Sequence, residues 1–304
     1  MDKIQTFAGY LAENNITTAR DVPLSEKSTF RIGGPATLFI QPDSQEQIAL
    51  TLTFAARENI PLMVLGAGSN ILFADEGYSG AVLHLGGAFA EIRREGAHLI
   101  SCQAGAKLSD LCEFAQSQGL AGLEFAYGIP GTVGGAVYMN AGAYGGQIED
   151  VVQTASFVDI DGKLTEFTAA QMAFDYRRSA FMKMSGALTG ATFKLTPAPP
   201  EEIRAKMDDY MARRREKQPL EHPSAGSTFK RPPGNYASAL IDQCGLKGLR
   251  AGGAAVSEKH AGFIVNLGGA TCKDVLELIG QVQRRVEAET GYKLEREVQL
   301  AAEL

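Results

Sequence analysis

Nineteen residues near the middle of the chain, 128–146, contain seven glycines: Gly128-Ile129-Pro130-Gly131-Thr132-Val133-Gly134-Gly135-Ala136-Val137-Tyr138-Met139-Asn140-Ala141-Gly142-Ala143-Tyr144-Gly145-Gly146. An interior glycine costs a helix or strand roughly 0.5–1 kcal/mol relative to alanine, so an ordinary regular element does not account for this density. It makes sense where backbone must pass close to something large. Val133, Val137, Tyr138 and Met139 are interleaved with the glycines, so the stretch is not a polar linker. The pattern predicts a packed loop and short helix whose backbone N–H groups face an anion, a pyrophosphate first of all. A tight structural turn without a ligand is the competing reading.

A second glycine turn, Gly66-Ala67-Gly68-Ser69-Asn70, follows residues 61–65, which read as a buried strand. Before it come a strand over 36–41 and a helix opened by Ser44 and Gln47 at capping-box spacing, with Ile48, Leu50, Leu52 and Ala55 behind them. Strand, helix, strand and glycine turn invite a Rossmann reading. That fingerprint needs three glycines, then a helix, then an acid about 20 positions on. Here Ile71-Leu72-Phe73 follows and reads as extended chain. Ser69 and Asn70 add side-chain donors that suit an anion; a plain strand-end turn is equally open.

The remaining pattern is α+β, not a regular βαβ repeat. Residues 1–20 are expected to form a short leading helix, with Phe7, Tyr10 and Leu11 on one face. Strand-like runs cover 81–85, 91–94 and 99–104. Helical spacing over 107–118 points Leu108, Leu111, Cys112 and Ala115 inward. Asp161-Gly162 predicts a hairpin between 151–159 and 163–167, followed by a strand over 187–195. Pro197, Pro199 and Pro200 before Glu201 and Glu202 start a charged helix to Lys217 and mark a domain boundary. Its basic end, Arg213-Arg214-Arg215, reads as a complement to the helix dipole. Beyond it the spacing predicts helices over 236–243 and 273–290 and strands over 252–256, 262–266 and 297–301.

Composition excludes several function classes. The 304 residues are 45% hydrophobic and 21% charged, an ordinary globular balance with room for two domains or three small ones. A net charge of −6 argues against nucleic-acid binding as the main business. No run approaches the roughly 18 apolar residues of a membrane span, so no membrane insertion is expected. The opening Met1-Asp2-Lys3-Ile4-Gln5 shows no basic region followed by an apolar one, and a cytoplasmic location is expected. Cys102, Cys112, Cys244 and Cys272 form no paired motif and are expected reduced; His84, His98, His222 and His260 have no metal-site spacing, so no metal is expected.

Three spots carry candidate chemistry. Adjacent arginines in Asp175-Tyr176-Arg177-Arg178-Ser179 can clamp a carboxylate or phosphate, or form a solvated pair. Ala225-Gly226-Ser227-Thr228-Phe229-Lys230-Arg231-Pro232-Pro233 is an exposed, anion-friendly turn with a hydroxyl; it lacks the GxSxG elbow of serine hydrolases. On a strand, Glu295 and Glu297 of Leu294-Glu295-Arg296-Glu297-Val298 share one face.

Taken in order, these segments resemble the UDP-N-acetylenolpyruvoylglucosamine reductase family, often called MurB, flavoenzymes of peptidoglycan precursor synthesis. The resemblance rests on Leu65 to Asn70, Gly128 to Ala136 with Asn140-Ala141-Gly142-Ala143-Tyr144-Gly145, Tyr176-Arg177-x-Ser179, Gly226-Ser227-x-Phe229-Lys230, Lys259-His260-Ala261-Gly262-Phe263, and Glu297-Val298. The set spans roughly residues 30 to 300.

The resemblance implies a vanillyl-alcohol-oxidase/PCMH-like FAD-binding fold of two subdomains, 1–60 and 61–197, plus a C-terminal α+β substrate domain, 198–304. FAD would lie along Gly66, Ala67, Gly68, Ser69, Asn70, Gly128, Ile129, Pro130, Gly131, Thr132, Gly134, Gly135, Asn140, Gly142, Ala143 and Tyr144. NADPH would be the hydride donor and UDP-N-acetylglucosamine enolpyruvate the substrate, reduced to UDP-N-acetylmuramate. Arg177 would pair with the substrate carboxylate, Glu297 would stabilise the enolic form and Ser227 would deliver the proton. Tyr176, Lys230, Arg231, Lys259 and His260 are the implied substrate contacts. Two departures stand out: Arg231 replaces an Asn common in the family, and no insertion carries the tyrosine loop of the longer class. The shorter class is therefore expected, with no catalytic tyrosine. Another FAD-dependent oxidase of the same superfold, and a nucleotide-sugar-binding regulator without catalysis, are the alternatives. The sequence does not fix the oligomeric state.

Overall fold

The structure, a computed structural model, describes residues 3–303. It is α+β and forms two compact units. The first comprises Met1–Arg20, Leu38–Ala67 and Gly80–Arg214; the second comprises Asp21–Thr37, Gly68–Ser79 and Arg215–Leu304.

The first unit has two apolar clusters. One packs helices α1 (Lys3–Glu13) and α2 (Gln45–Arg57) with Leu38, Ile40, Ala81 and Leu83; the rings of Phe7 and Phe54 stack at 5.0 Å. Leu62–Leu65 pairs in parallel with residues 81–84. The leading helix stops well short of residue 20, and its expected first two residues lie outside the described ones. Asn15 takes a φ of 56°, Ile16 N–H reaches back to Leu11 O at 2.9 Å, and Ile16 is buried. This is a Schellman stop with a left-handed Asn at its end. Thr17–Pro23 then runs on as a strand. α2 ends in the same way: Asn59 has φ 52° and Ile60 N–H donates to Ala55 O at 2.9 Å. Its start follows the expected capping, with Ser44 Oγ accepting from Gln47 N–H at 3.3 Å.

The second cluster of this unit lies on an antiparallel five-stranded sheet, in the order Leu164–Thr168, Val152–Asp159, Gly186–Lys194, Leu99–Gln103, Ile92–Arg94. Phe157 and Phe193 from the sheet meet Leu111 and Cys112 of α3 (Leu108–Ser117), Val133 and Val137 of α4 (Val133–Tyr138), and Ile203 and Met207 of α5 (Pro200–Lys217).

The second unit is an antiparallel sheet, Ser224–Ser227, Phe263–Asn266, Ala254–Val256, Arg250–Ala251, covered by α6 (Ala237–Gln243) and α7 (Cys272–Thr290). Its core joins Phe30, Ile32 and Leu72 to Ile241, Ile264, Val275, Leu278, Val282 and Val286. The strand expected over 252–256 is a hairpin, with Ala251 opposite Ala254 and the two glycines between them at the turn. The terminal strand expected over 297–301 is confined to Gln299–Leu300, which pairs in parallel with Ile71–Leu72. Ala301–Glu303 turns into a 3-10 helix.

Among the described residues no helix is long and apolar enough to cross a membrane, and no cluster of His, Cys, Asp or Glu could hold a metal ion.

Candidate active site

In the first unit Gly66 meets the 128–146 segment at Thr132. A Cβ on Gly66 would lie 2.3 Å from Thr132 Oγ1, so only glycine allows this approach. Thr132 is the N-cap of α4, its hydroxyl accepting from Gly135 N–H at 3.5 Å. The first-turn donors of α4 do not face an open anion site as the sequence suggested. Val133 N–H donates to Ala106 O and Gly134 N–H to Ala104 O, each at 2.8 Å. α4 docks against the loop after Leu99–Gln103, whose carbonyls consume those donors. Gly134 permits the docking, since a Cβ there would lie 2.8 Å from that of Ala104. By contrast, the amide of Ala67, and in the second unit those of Gly68 and Ser69, have no protein acceptor among the described residues.

The rest of the stretch is tightly folded. Ile129 N–H closes onto Ala126 O at 2.9 Å, and Gly131 O accepts from Leu108 N–H at 3.1 Å, with Pro130 exposed between them. Gly142 and Ala143 pair with Gln147 and Gly146 in a small hairpin. At its tip Tyr144, with φ 54°, stacks on Tyr210 at 4.5 Å with the ring planes nearly parallel. Asn140 is buried, and its amide bonds Glu149 and Asp175 O inside the protein. Tyr176 is exposed at the tip of a turn, with the Arg177 guanidinium 5.2 Å from its ring centroid and Arg177 Nη2 3.0 Å from Gly142 O.

One residue of this unit was missed by the sequence reading. Arg214 on α5 is half-buried, and its buried Nε has no hydrogen-bond partner among the described residues. Desolvation lowers its pKa, while Tyr144 opposes that shift. Its Cδ lies 2.9 Å from where a Cβ on Gly128 would be. Ile203, Met207, Tyr210 and Arg214 lie at helical spacing on one face of α5. That apolar stripe running into an arginine is the signal that could have found it. A desolvated guanidinium with an orphan donor is costly unless an anion meets it.

In the second unit, Ser227 and Glu297 lie on neighbouring segments. Phe229 pairs with Arg296, flanked by Lys230 N–H to Glu295 O at 2.9 Å and Glu297 N–H to Thr228 O at 2.8 Å. Ser227 is exposed beside an irregularity in its strand. Glu297 is half-buried; Asn70 holds its segment, donating from Nδ2 to Glu297 O at 3.3 Å and accepting from Gln299 N–H at 3.0 Å. Glu295 is instead exposed and ion-paired with Lys230. Arg231 lies over the Tyr236 ring at 4.3 Å. Lys259 Nζ caps α5 by donating to Arg215 O at 2.7 Å. His260 accepts at Nδ1 from Gly262 N–H at 3.2 Å, and burial pulls its pKa below the usual value.

Residues 36–168 match the FAD binding domain model, which places the first part of the chain among flavin-dependent proteins. Residues 218–301 match the model of the C-terminal domain of UDP-N-acetylenolpyruvoylglucosamine reductase. The chain is 46% identical to that reductase of Caldicellulosiruptor bescii, over 98% of this chain and 95% of the relative. It is 43% identical to that of Clostridium perfringens over 99% and 97%. The crystal structure of the reductase (MurB) from Thermus caldophilus superposes with a TM-score of 0.80 at 38% identity, covering 94% of this chain and 98% of that one. The chain belongs to the UDP-N-acetylenolpyruvoylglucosamine reductase family.

Proposed function

We propose that the protein reduces UDP-N-acetylglucosamine enolpyruvate to UDP-N-acetylmuramate with NADPH and FAD. This is a step of peptidoglycan precursor synthesis, and it ties the protein to cell-wall biogenesis, cell shape and division and to a cytoplasmic location. The residues present in the first unit fit FAD: the unpaired amide of Ala67 and the orphan Nε of Arg214 are donors suited to an anionic dinucleotide. Those groups and the tight glycine segments around Gly66 and Gly128 would hold it.

Bound FAD supplies the relay by which hydride from NADPH reaches C3 of the enolpyruvyl group. The chain's own residues manage the charge and the proton. Arg177 binds the substrate carboxylate, and its planar fork matches the two oxygens. Glu297 stabilises the enolic form as negative charge builds on C2 and the carboxylate. Ser227 delivers the proton to C2, completing addition of one hydride and one proton across the double bond. Lys230 and Arg231 meet the diphosphate of the sugar nucleotide, with Tyr176, Lys259 and His260 as further substrate contacts.

The observation that carries the reading is the pairing around Thr228: an exposed serine hydroxyl and a half-buried carboxylate are set on adjoining backbone, locked by a 2.8 Å hydrogen bond. Glu297 stands opposite Thr228, one position along from Ser227, and a hydroxyl and a carboxylate on adjoining segments are the groups that an enolate and its protonation require. The alternative oxidase has no need of that set, and the relatives do not favour it.

The test is an anaerobic absorbance trace of FAD-loaded protein. NADPH is expected to bleach the flavin band, and UDP-N-acetylglucosamine enolpyruvate to restore it. Bleaching without recovery would point to a different oxidant and refute the reading.

A further inference from the structure

Arg177 stands on a turn tied by two side chains to residues 138–142, and we infer that Ser179 and Asn140 are positioning residues for its guanidinium. The inference rests on the carboxylate-binding role proposed for Arg177. The turn is tight, since Asp175 and Arg178 exchange both backbone hydrogen bonds at 3.1 Å. Arg177 has a φ of 55°, a left-handed conformation uncommon for a residue with a long side chain. Such strain persists only where the surroundings over-determine it.

Three rungs do so. Ser179 Oγ donates to Tyr138 O at 2.5 Å, Asn140 Nδ2 donates to Asp175 O at 3.2 Å, and Arg177 Nη2 donates to Gly142 O at 3.0 Å. Residues 138, 140 and 142 alternate along one short segment, so the contacts zip the arginine turn to the end of α4 and the loop after it. The first two rungs are dry: Ser179 is 3% exposed and Asn140 1%. The amide of Asn140 has one orientation. Glu149 N–H donates to its Oδ1 at 3.0 Å, which leaves Nδ2 to face Asp175 O and Glu149 Oε2, both at 3.2 Å. Asn140 is thus engaged at both heteroatoms inside the protein and acts through Arg177, not by touching the cofactor. The third rung then places the guanidinium itself, because its acceptor, Gly142, lies two residues beyond Asn140. Side chains locked in this way give a functional group the precision that a loop alone lacks.

The decisive variant is Ser179→Ala in the FAD-loaded protein. It removes one hydroxyl and keeps the backbone free to adopt the same turn. Flavin content and bleaching by NADPH are expected to stay as in the wild type, while kcat/KM for the enolpyruvyl sugar falls about tenfold, the kinetic worth of one buried hydrogen bond. Ser179→Thr, which keeps the hydroxyl, is expected to recover most of the loss. In an Arg177→Lys background the same Ser179→Ala change is expected to have no further effect. An equal fold-loss in both backgrounds would overturn the inference, because a merely structural serine acts independently of Arg177. Asn140→Gly, which tolerates the positive φ of 46° at that position, should lose the same half-reaction; loss of flavin in that variant would overturn the assignment of Asn140. A crystal structure of Ser179→Ala provides a readout free of substrate. Arg177 Nη2 is expected to leave Gly142 O, and retention of that bond would sink the inference. If instead the wild type itself fails to be reoxidised by the enolpyruvyl sugar, the reductase reading fails, and the crystal structure still decides the positioning claim.

Discussion

A serine hydroxyl is a poor acid toward water and an adequate one toward a carbanion. This is why the role proposed for Ser227, exposed and outside any nucleophile elbow, is protonation of C2 and not acyl transfer. Ser227→Ala is expected to leave bleaching of the flavin by NADPH intact and to slow reoxidation by the enolpyruvyl sugar about 100-fold, the lower end of general-acid contributions. Stopped-flow absorbance of the two half-reactions checks this, and equal slowing of both would remove Ser227 from the proton transfer. Arg214 makes a different kind of statement. Its guanidinium bears a desolvation cost that no acceptor at Nε among the described residues offsets. Arg214→Ala is therefore expected to leave the melting temperature of the FAD-free protein unchanged or slightly raised, and to weaken FAD binding about tenfold or more. Flavin fluorescence titration, paired with thermal melts with and without FAD, reads both directions. Unchanged affinity would leave the orphan donor without a ligand.

At the level of single elements, α7 is fixed at its start by two acids. Thr271 and Asp274 form a capping box, and Asp75 accepts from Cys272 N–H at 2.7 Å and Lys273 N–H at 3.2 Å. A carboxylate there meets both free donors and the positive end of the dipole. Asp75→Asn is expected to cost about 1 kcal/mol of stability, the usual worth of a cap, measured by urea unfolding; no change would mean that the capping box alone suffices. The loop before Phe263–Asn266 carries a pH dependence. His260 titrates below its ordinary value, first because burial disfavours the imidazolium and then because Lys247 repels it. A depressed folded pKa means that the unfolded chain takes up the proton first. The stabilising contribution is whole above the unfolded value of about 6.5 and is lost as pH falls through the lower folded value. His260→Gln is expected to flatten the fall in melting temperature below pH ~6.5, and parallel melting curves for the two proteins would refute it.

For the whole molecule, connectivity sets the limits. The second unit is assembled from three stretches of chain, and its core takes Phe30, Ile32 and Leu72 from far upstream of the rest. A fragment of residues 198–304 lacks these side chains, the parallel partner strand Ile71–Leu72 and the Asp75 cap. Deleting one large buried side chain costs about 2–5 kcal/mol, and the net stability of a domain is about 5–15 kcal/mol. The fragment is therefore expected to show no cooperative thermal transition by circular dichroism, in contrast to the intact chain. A sharp transition would show that residues 198–304 fold unaided.

Local signals were enough for many of the elements and for the family. The helical spacing of Leu108, Leu111, Cys112 and Ala115, the Asp161-Gly162 turn and the Ser44 cap depend on near neighbours in the chain, and each was legible there. The ordered motifs around Gly66, Gly128, Arg177, Ser227 and Glu297 were legible in the same way, because a family's chemistry keeps its residue types in order. Satisfaction of polar groups was not legible. Whether the amides of Val133 and Gly134 are open depends on the carbonyls of Ala106 and Ala104, some thirty residues earlier. Whether Arg214 is a dipole complement or an unpaired buried donor depends on Gly128 and Tyr144 lying against it. That Glu149 and Asp175 take the side-chain amide of Asn140 could not be read from its place in the motif. Hydrogen-bond partners and burial are properties of groups far apart in sequence, so only the packed chain sets which donors remain for a ligand.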